Sequence, residues 1–188
     1  MKKTLTFKGL ALGLLISSMV PAVAFAGDST FQSENLRFFV GGAVTTGAGT
    51  LTRHNNSVHL RVAATGLDAT AVYSAWFVIF NKPEKCADNT PGGCALDDIG
   101  VPAVKAAVIN AGGFLSGADG SGYFSGTLET GKAPSGMCCF GKLMSGMKSE
   151  IHVLLLTHGT PVPGTVNAHM STPDGGTDQF FLIFTATK

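Results

Sequence analysis

Apolar and polar residues alternate most cleanly between Ser57 and Leu67. Val58, Leu60, Val62 and Ala64 fall on one side, and His59, Arg61, Ala63 and Thr65 on the other. A period of two predicts a strand with one buried and one wetter face. After Gly66-Leu67-Asp68-Ala69, which reads as a turn, comes Val72-Tyr73-Ser74-Ala75-Trp76-Phe77-Val78-Ile79-Phe80, apolar on both faces. Its length and aromatic content predict a central strand covered on both sides rather than a buried helix. The two strands are expected to pair as a hairpin. Five further strands are expected over residues 31–40, 104–110, 122–130, 150–157 and 179–185. Gly41-Gly42, Gly112-Gly113, Gly117–Gly120, Pro161–Gly164 and Asp174-Gly175-Gly176 supply turn chemistry between them. Short strands at this spacing, without βαβ alternation, predict a single all-β domain: an antiparallel Greek-key β-sandwich or barrel. Two long loops, 82–102 and 131–149, interrupt the pattern, and loops of that length are usually functional or stapled.

The amino terminus follows a different pattern. Lys2, Lys3 and Lys8 precede an apolar run from Gly9 to Phe25, broken by Ser17, Ser18 and Pro21 and closing on Ala24-Phe25-Ala26. This charged, apolar, small-residue order predicts a cleavable secretion signal over residues 1–26, cut after Ala26. The uninterrupted apolar stretch is shorter than the roughly 20 residues of a spanning helix, so an integral membrane span is not expected in the mature form. The mature domain, 27–188, is expected in the periplasm or fully secreted.

Charge sharpens this picture. The whole chain carries a formal +1, but residues 1–26 hold three lysines and no acid, which leaves 10 basic and 12 acidic residues, a net −2. So few charges, so evenly balanced, give no footprint for nucleic acid. The apolar fraction of 45% is too high for a disordered chain.

All four cysteines lie in the two long loops, Cys86 and Cys94 in the first, Cys138 and Cys139 in the second. An even number in an exported chain reads as disulfides, and four allow three connectivities. A Cys86–Cys94 bridge closes a short local loop at little geometric cost and leaves Cys138 and Cys139 as a vicinal pair or as thiols. The alternative is two bridges stapling one loop to the other. Met137, Met144 and Met147 share the second loop with its cysteines, and soft sulfur donors of this kind select monovalent copper. The competing reading is a bridged loop whose methionines pack on the domain.

The five histidines are His54, His59, His152, His158 and His169. His59, His152 and His158 are the candidate ligands for a copper or zinc site, each from a different part of the pattern. His152 and His158 share one face of a predicted strand, but a rise of about 3.3 Å per residue separates them too far for one metal. Glu150 shares that face and can hydrogen-bond to His152. No nucleophile elbow, phosphate-binding loop, His-Glu-x-x-His helix or dinucleotide fingerprint occurs. Gly117-Ala118-Asp119-Gly120-Ser121-Gly122 precedes a strand, not a helix, so it reads as a hairpin turn.

The chain resembles a group of exported bacterial β-domain proteins. The residues that carry the likeness are Ser57–Val62, Gly66-Leu67, Tyr73–Pro83, Cys86, Glu150-Ile151-His152-Val153, His158-Gly159, Pro161 and Pro163-Gly164. Their order is also distantly similar to the chordin-type (CHRD-like) secreted domain, with Ser74-Ala75-Trp76-Phe77 where such domains have Ala-His-Ile-His. The resemblance implies export and a β fold, and it brings no activity. The expected function is a non-enzymatic exported module binding an extracytoplasmic protein, glycan or small ligand. The alternatives are a copper- or zinc-binding or redox protein, and a hydrolase with its site at the loop ends.

Overall fold

The computed structural model describes residues 29–132 and 141–187. The predicted signal segment, 1–26, and the Cys138-Cys139 pair lie outside these residues. Among the described residues eight strands form: β1 (Ser29–Phe38), β2 (Val44–His54), β3 (Ser57–Ala64), β4 (Val72–Phe80), β5 (Ala106–Leu115), β6 (Gly122–Glu129), β7 (Glu150–Thr157) and β8 (Thr177–Phe184). A single helical turn, α1 (Val166–His169), precedes β8.

All strands join one antiparallel sheet in the order β5-β4-β7-β8-β1-β2-β3-β6, which curls until its ends nearly meet as a barrel. The two end strands touch without a hydrogen-bonded ladder. Phe114 of β5 stacks on Phe124 of β6 with ring centroids 5.7 Å apart. Gly126 lets the backbones approach, since a Cβ there would meet the Ala111 carbonyl oxygen at 2.6 Å. The connection from β3 to β4 passes over β6 and β5, which gives the Greek-key crossing expected of an all-β chain of this pattern.

The inside of the barrel is a packed core, not a lumen. Leu51, Leu60, Tyr73, Phe77, Ile79, Phe180 and Phe184 are all fully buried there. Each such side chain contributes about 1.5–3 kcal/mol through burial. The alternation read in β3 is correct: Val58, Leu60, Val62 and Ala64 are buried, and His59 and Arg61 face outward. β4 is buried along its whole length, as expected for a strand covered on both sides. Tyr73, Ala75, Phe77 and Ile79 enter the core, while Val78 and Phe80 join a second cluster outside the barrel wall.

Three expectations are corrected. β3 and β4 do not form a hairpin: β3 pairs with β2 and β6, and β4 with β5 and β7. Residues 66–71 are held by the β5–β6 turn, with Leu67 N–H donating to the Gly120 carbonyl at 3.0 Å and Ala71 N–H to Ser116 Oγ at 2.8 Å. Alternation sets the face of a strand and leaves its neighbour open. Gly112-Gly113 does not end a strand; β5 runs on to Leu115, and Gly112, at φ 128°, makes a bulge opposite Ala75–Trp76. β2 was not expected, because its inward positions are Gly47, Gly49, Leu51 and Arg53, and only one of these is a large apolar residue.

Candidate functional site

The outer face of β4 is where the two most elaborate loops meet the barrel. The first, residues 82–105, lies over the end of the strand. Cys86 and Cys94 form the expected local disulfide, with Cα atoms 5.3 Å apart. Both pack with Val78, Phe80 and Val104, against Ile99, Val108 and Leu154. Two buried carboxylates hold the loop from either side. Glu150, 1% exposed, accepts from Gly92 N–H at 2.8 Å, Cys94 N–H at 3.1 Å and His152 Nε2–H at 2.8 Å. Asp98 accepts from Ala87 N–H at 2.9 Å and Ala95 N–H at 2.8 Å. These charge-assisted bonds offset the cost of desolvating the carboxylates.

Arg53 closes the nearby end of the barrel. Its side chain points inward from β2 and is fully buried. Nε donates to Gln32 Oε1 at 2.6 Å. Nη1 donates to the Gly146 and Ser149 carbonyls at 2.8 and 2.9 Å, and Nη2 to those of Phe184 and Thr185 at 3.1 and 2.9 Å. All five N–H groups of the guanidinium are thereby satisfied. Burial lowers its pKa to about 10 against the opposing field of Glu150, and it stays charged at neutral pH.

The second covering segment, which contains α1, lies over the start of β4. Trp76 Nε1–H donates to Ser74 Oγ at 3.0 Å, and the Ser74 hydroxyl is 2.9 Å from His158 Nε2. Ser74 Oγ thus joins the indole to the imidazole. His158 stacks on His169 with centroids 5.2 Å apart and planes 14° from parallel. Burial, and then His169, hold His158 below its ordinary pKa of 6.5. His169 Nδ1 is buried without a partner. Ser74 is itself fully buried, so this serine–histidine contact offers no nucleophile to a substrate.

The three histidines selected from the sequence are not brought together. His59 lies on the outer face of β3, with Nδ1 2.8 Å from Thr127 Oγ1 and Nε2 accepting from Arg61 Nε–H at 3.1 Å. His152 is committed to Glu150 beneath the disulfide loop. His158 lies one residue past β7, beside Ser74 and His169. Among the described residues, no group of three or more His, Cys, Asp or Glu side chains is placed to share a metal. Of the sulfur-rich loop, Met137, Cys138 and Cys139 lie outside the described residues, and Met144 is half-exposed. Also among the described residues, no helix is long and apolar enough to cross a membrane.

Among the described residues, three surface hollows border the disulfide loop. One, of about 320 Å³, lies between Pro83, Pro91, Lys148 and Thr187, with Glu150 also lining it. The other two, of about 350 and 300 Å³, are neighbours that share Lys105 and Ala106. Asn81 builds the ground between them. It is buried, and its Nδ2 donates to the Lys105 and Lys142 carbonyls at 2.8 and 2.9 Å. Its Oδ1 accepts from Met144 N–H at 2.8 Å and Ser149 Oγ–H at 3.0 Å. Sequence reading passed over Asn81, Arg53 and Lys105. The one available signal was a polar residue interrupting or ending a strand, and most such residues are ordinary surface positions.

In comparisons with known proteins, no protein-family model and no curated protein matches this chain.

Proposed function

We propose that the protein is an exported, non-enzymatic binding module that meets its ligand on the loops around the disulfide. The observation that carries this reading is the division of the molecule into a filled interior and an indented loop surface. Among the described residues, the barrel core is filled with buried apolar side chains, while three hollows, each of about 300–350 Å³, open beside residues 82–105. That size lies at the small end of the range for small-molecule sites. Loops held on a rigid scaffold are the usual place for recognition. Export is supported by the charged, apolar and small-residue order of residues 1–26, and by a disulfide that suits an oxidising compartment.

The test has two parts. Fractionated cells should hold the chain beginning at Gly27 in the periplasm or the medium, as read by intact mass. A thermal-shift screen of glycans, metabolites and envelope extracts should then yield a ligand that raises the unfolding midpoint. The same ligand should fail with Met144→Glu, which places a charge at the rim of the loop surface. A full-length cytoplasmic product, or ligands insensitive to that substitution, would overturn the reading.

A further inference from the structure

The paired hollows have a more specific chemistry than their size alone suggests. Ala106 lies between them; Ile99, Val101 and Pro102 line one side, and Met144 the other. Val101 and Met144 are among the large apolar side chains left exposed. Lys105 lines both hollows and Lys142 one of them, and no acidic residue lines either. Neither ammonium forms an ion pair among the described residues. Asn81 Nδ2 ties the backbone carbonyls of Lys105 and Lys142 to one point, and both residues line the same hollow.

Both cationic residues border one hollow, and no acidic residue lines it to balance them. Lys105 also has φ 53°, in the left-handed region that glycine or asparagine would occupy with less strain. Backbone strain of this kind concentrates at binding positions. Asn81 accounts for the carbonyl direction, but not for a lysine side chain at this position.

We propose that the paired hollows bind a monomeric amphipathic anion. Its carboxylate would lie between Lys105 and Lys142, and its alkyl chain along Ala106 toward Val101 and Pro102. This rests on the binding-module reading and names the ligand class of its loop surface. The two lysines select the head, and Ile99, Val101, Pro102 and Ala106 along the neighbouring hollow select an apolar tail.

The test is a fluorescence titration of the mature protein with dansyl-labelled undecanoate. Saturable binding is expected, together with displacement by laurate and none by methyl laurate. Lys105→Gln and Lys142→Gln should each weaken binding about two- to fivefold, and the double variant about tenfold, the range expected of exposed ion pairs. Lys105→Gly is the control for a purely structural role. It suits the left-handed backbone, so it should keep or raise the unfolding midpoint while still weakening the probe. Equal affinity for acid and ester, an unaffected double variant, or association only with phosphatidylglycerol vesicles would each overturn the proposal. If no alkyl anion binds but the thermal-shift screen yields another ligand, only this inference falls. If neither finds a ligand, the module reading falls with it.

Discussion

One face of one strand, β4, is covered at its two ends by different means. Over Val78 and Phe80 the covering loop is cross-linked by Cys86–Cys94 and held by the buried Glu150 and Asp98. Over Ser74 and Trp76 the cover is α1 and its flanks, held by a hydroxyl, an indole and two stacked imidazoles. The first cover uses a covalent bond and carboxylates, the second a hydroxyl, an indole and imidazoles, of which His158 is held below its ordinary pKa by burial. Equal burial can therefore hide unequal persistence, and the imidazole cover is expected to yield before the cross-linked one.

Glu150→Ala should do the most damage. It leaves two buried N–H groups and His152 without their acceptor, at a cost of about 3 kcal/mol in chemical denaturation. A loss below about 1 kcal/mol would mean that the disulfide alone holds the loop. Removing the disulfide, as Cys86→Ser with Cys94→Ser, should cost about 2–3 kcal/mol for so short a closed loop. It should also speed amide exchange at Gly92 and Cys94, and leave Trp76 emission unchanged. A red-shifted Trp76 would show that the two covers are coupled.

Acid should separate the covers further. The folded state binds the His158 proton less readily than the unfolded chain does. The stability tied to this group is complete above about pH 6.5 and falls as the pH drops through that value toward the lower folded pKa. Trp76 is the only tryptophan, so its emission between pH 7.5 and 5 reads this cover directly. A His158→Gln variant with the same pH profile would assign the change elsewhere. His169→Ala should have the smallest effect, about 1 kcal/mol or less for a lost ring contact. It should also reduce the acid sensitivity, because the second cause of the lowered His158 pKa is gone.

How much of this was readable in the sequence depended on whether a residue announces its surroundings. β3 and β4 were legible because alternation and continuous apolar character report directly on which faces are buried. β7 was placed at Glu150–Thr157 for the same reason, and the Glu150–His152 pair followed from their shared face. The local disulfide was legible as the bridge of least closure. β2 was not, since glycines and an arginine occupy its inward positions. The β3–β4 crossing was hidden because strand pairing is decided by the distant turn at Gly117–Gly120. The candidate site was the least legible part. Asn81 joins Lys105, Lys142, Met144 and Ser149 across more than sixty positions of chain, and no local pattern marks such a residue.

Arg53 has a consequence for the order of assembly. Its acceptors come from β1, from the segment before β7, and from the last strand and the residue after it. A chain still lacking its carboxyl-terminal strand therefore has a cation with no complete cradle and a wall with no β8 between β7 and β1. Such a chain has little reason to collapse early. Its contacts are mostly between distant positions, which slows folding in any case. Under the proposed export, a barrel that closes only with β8 in place would keep the chain unlocked until its last strand arrives.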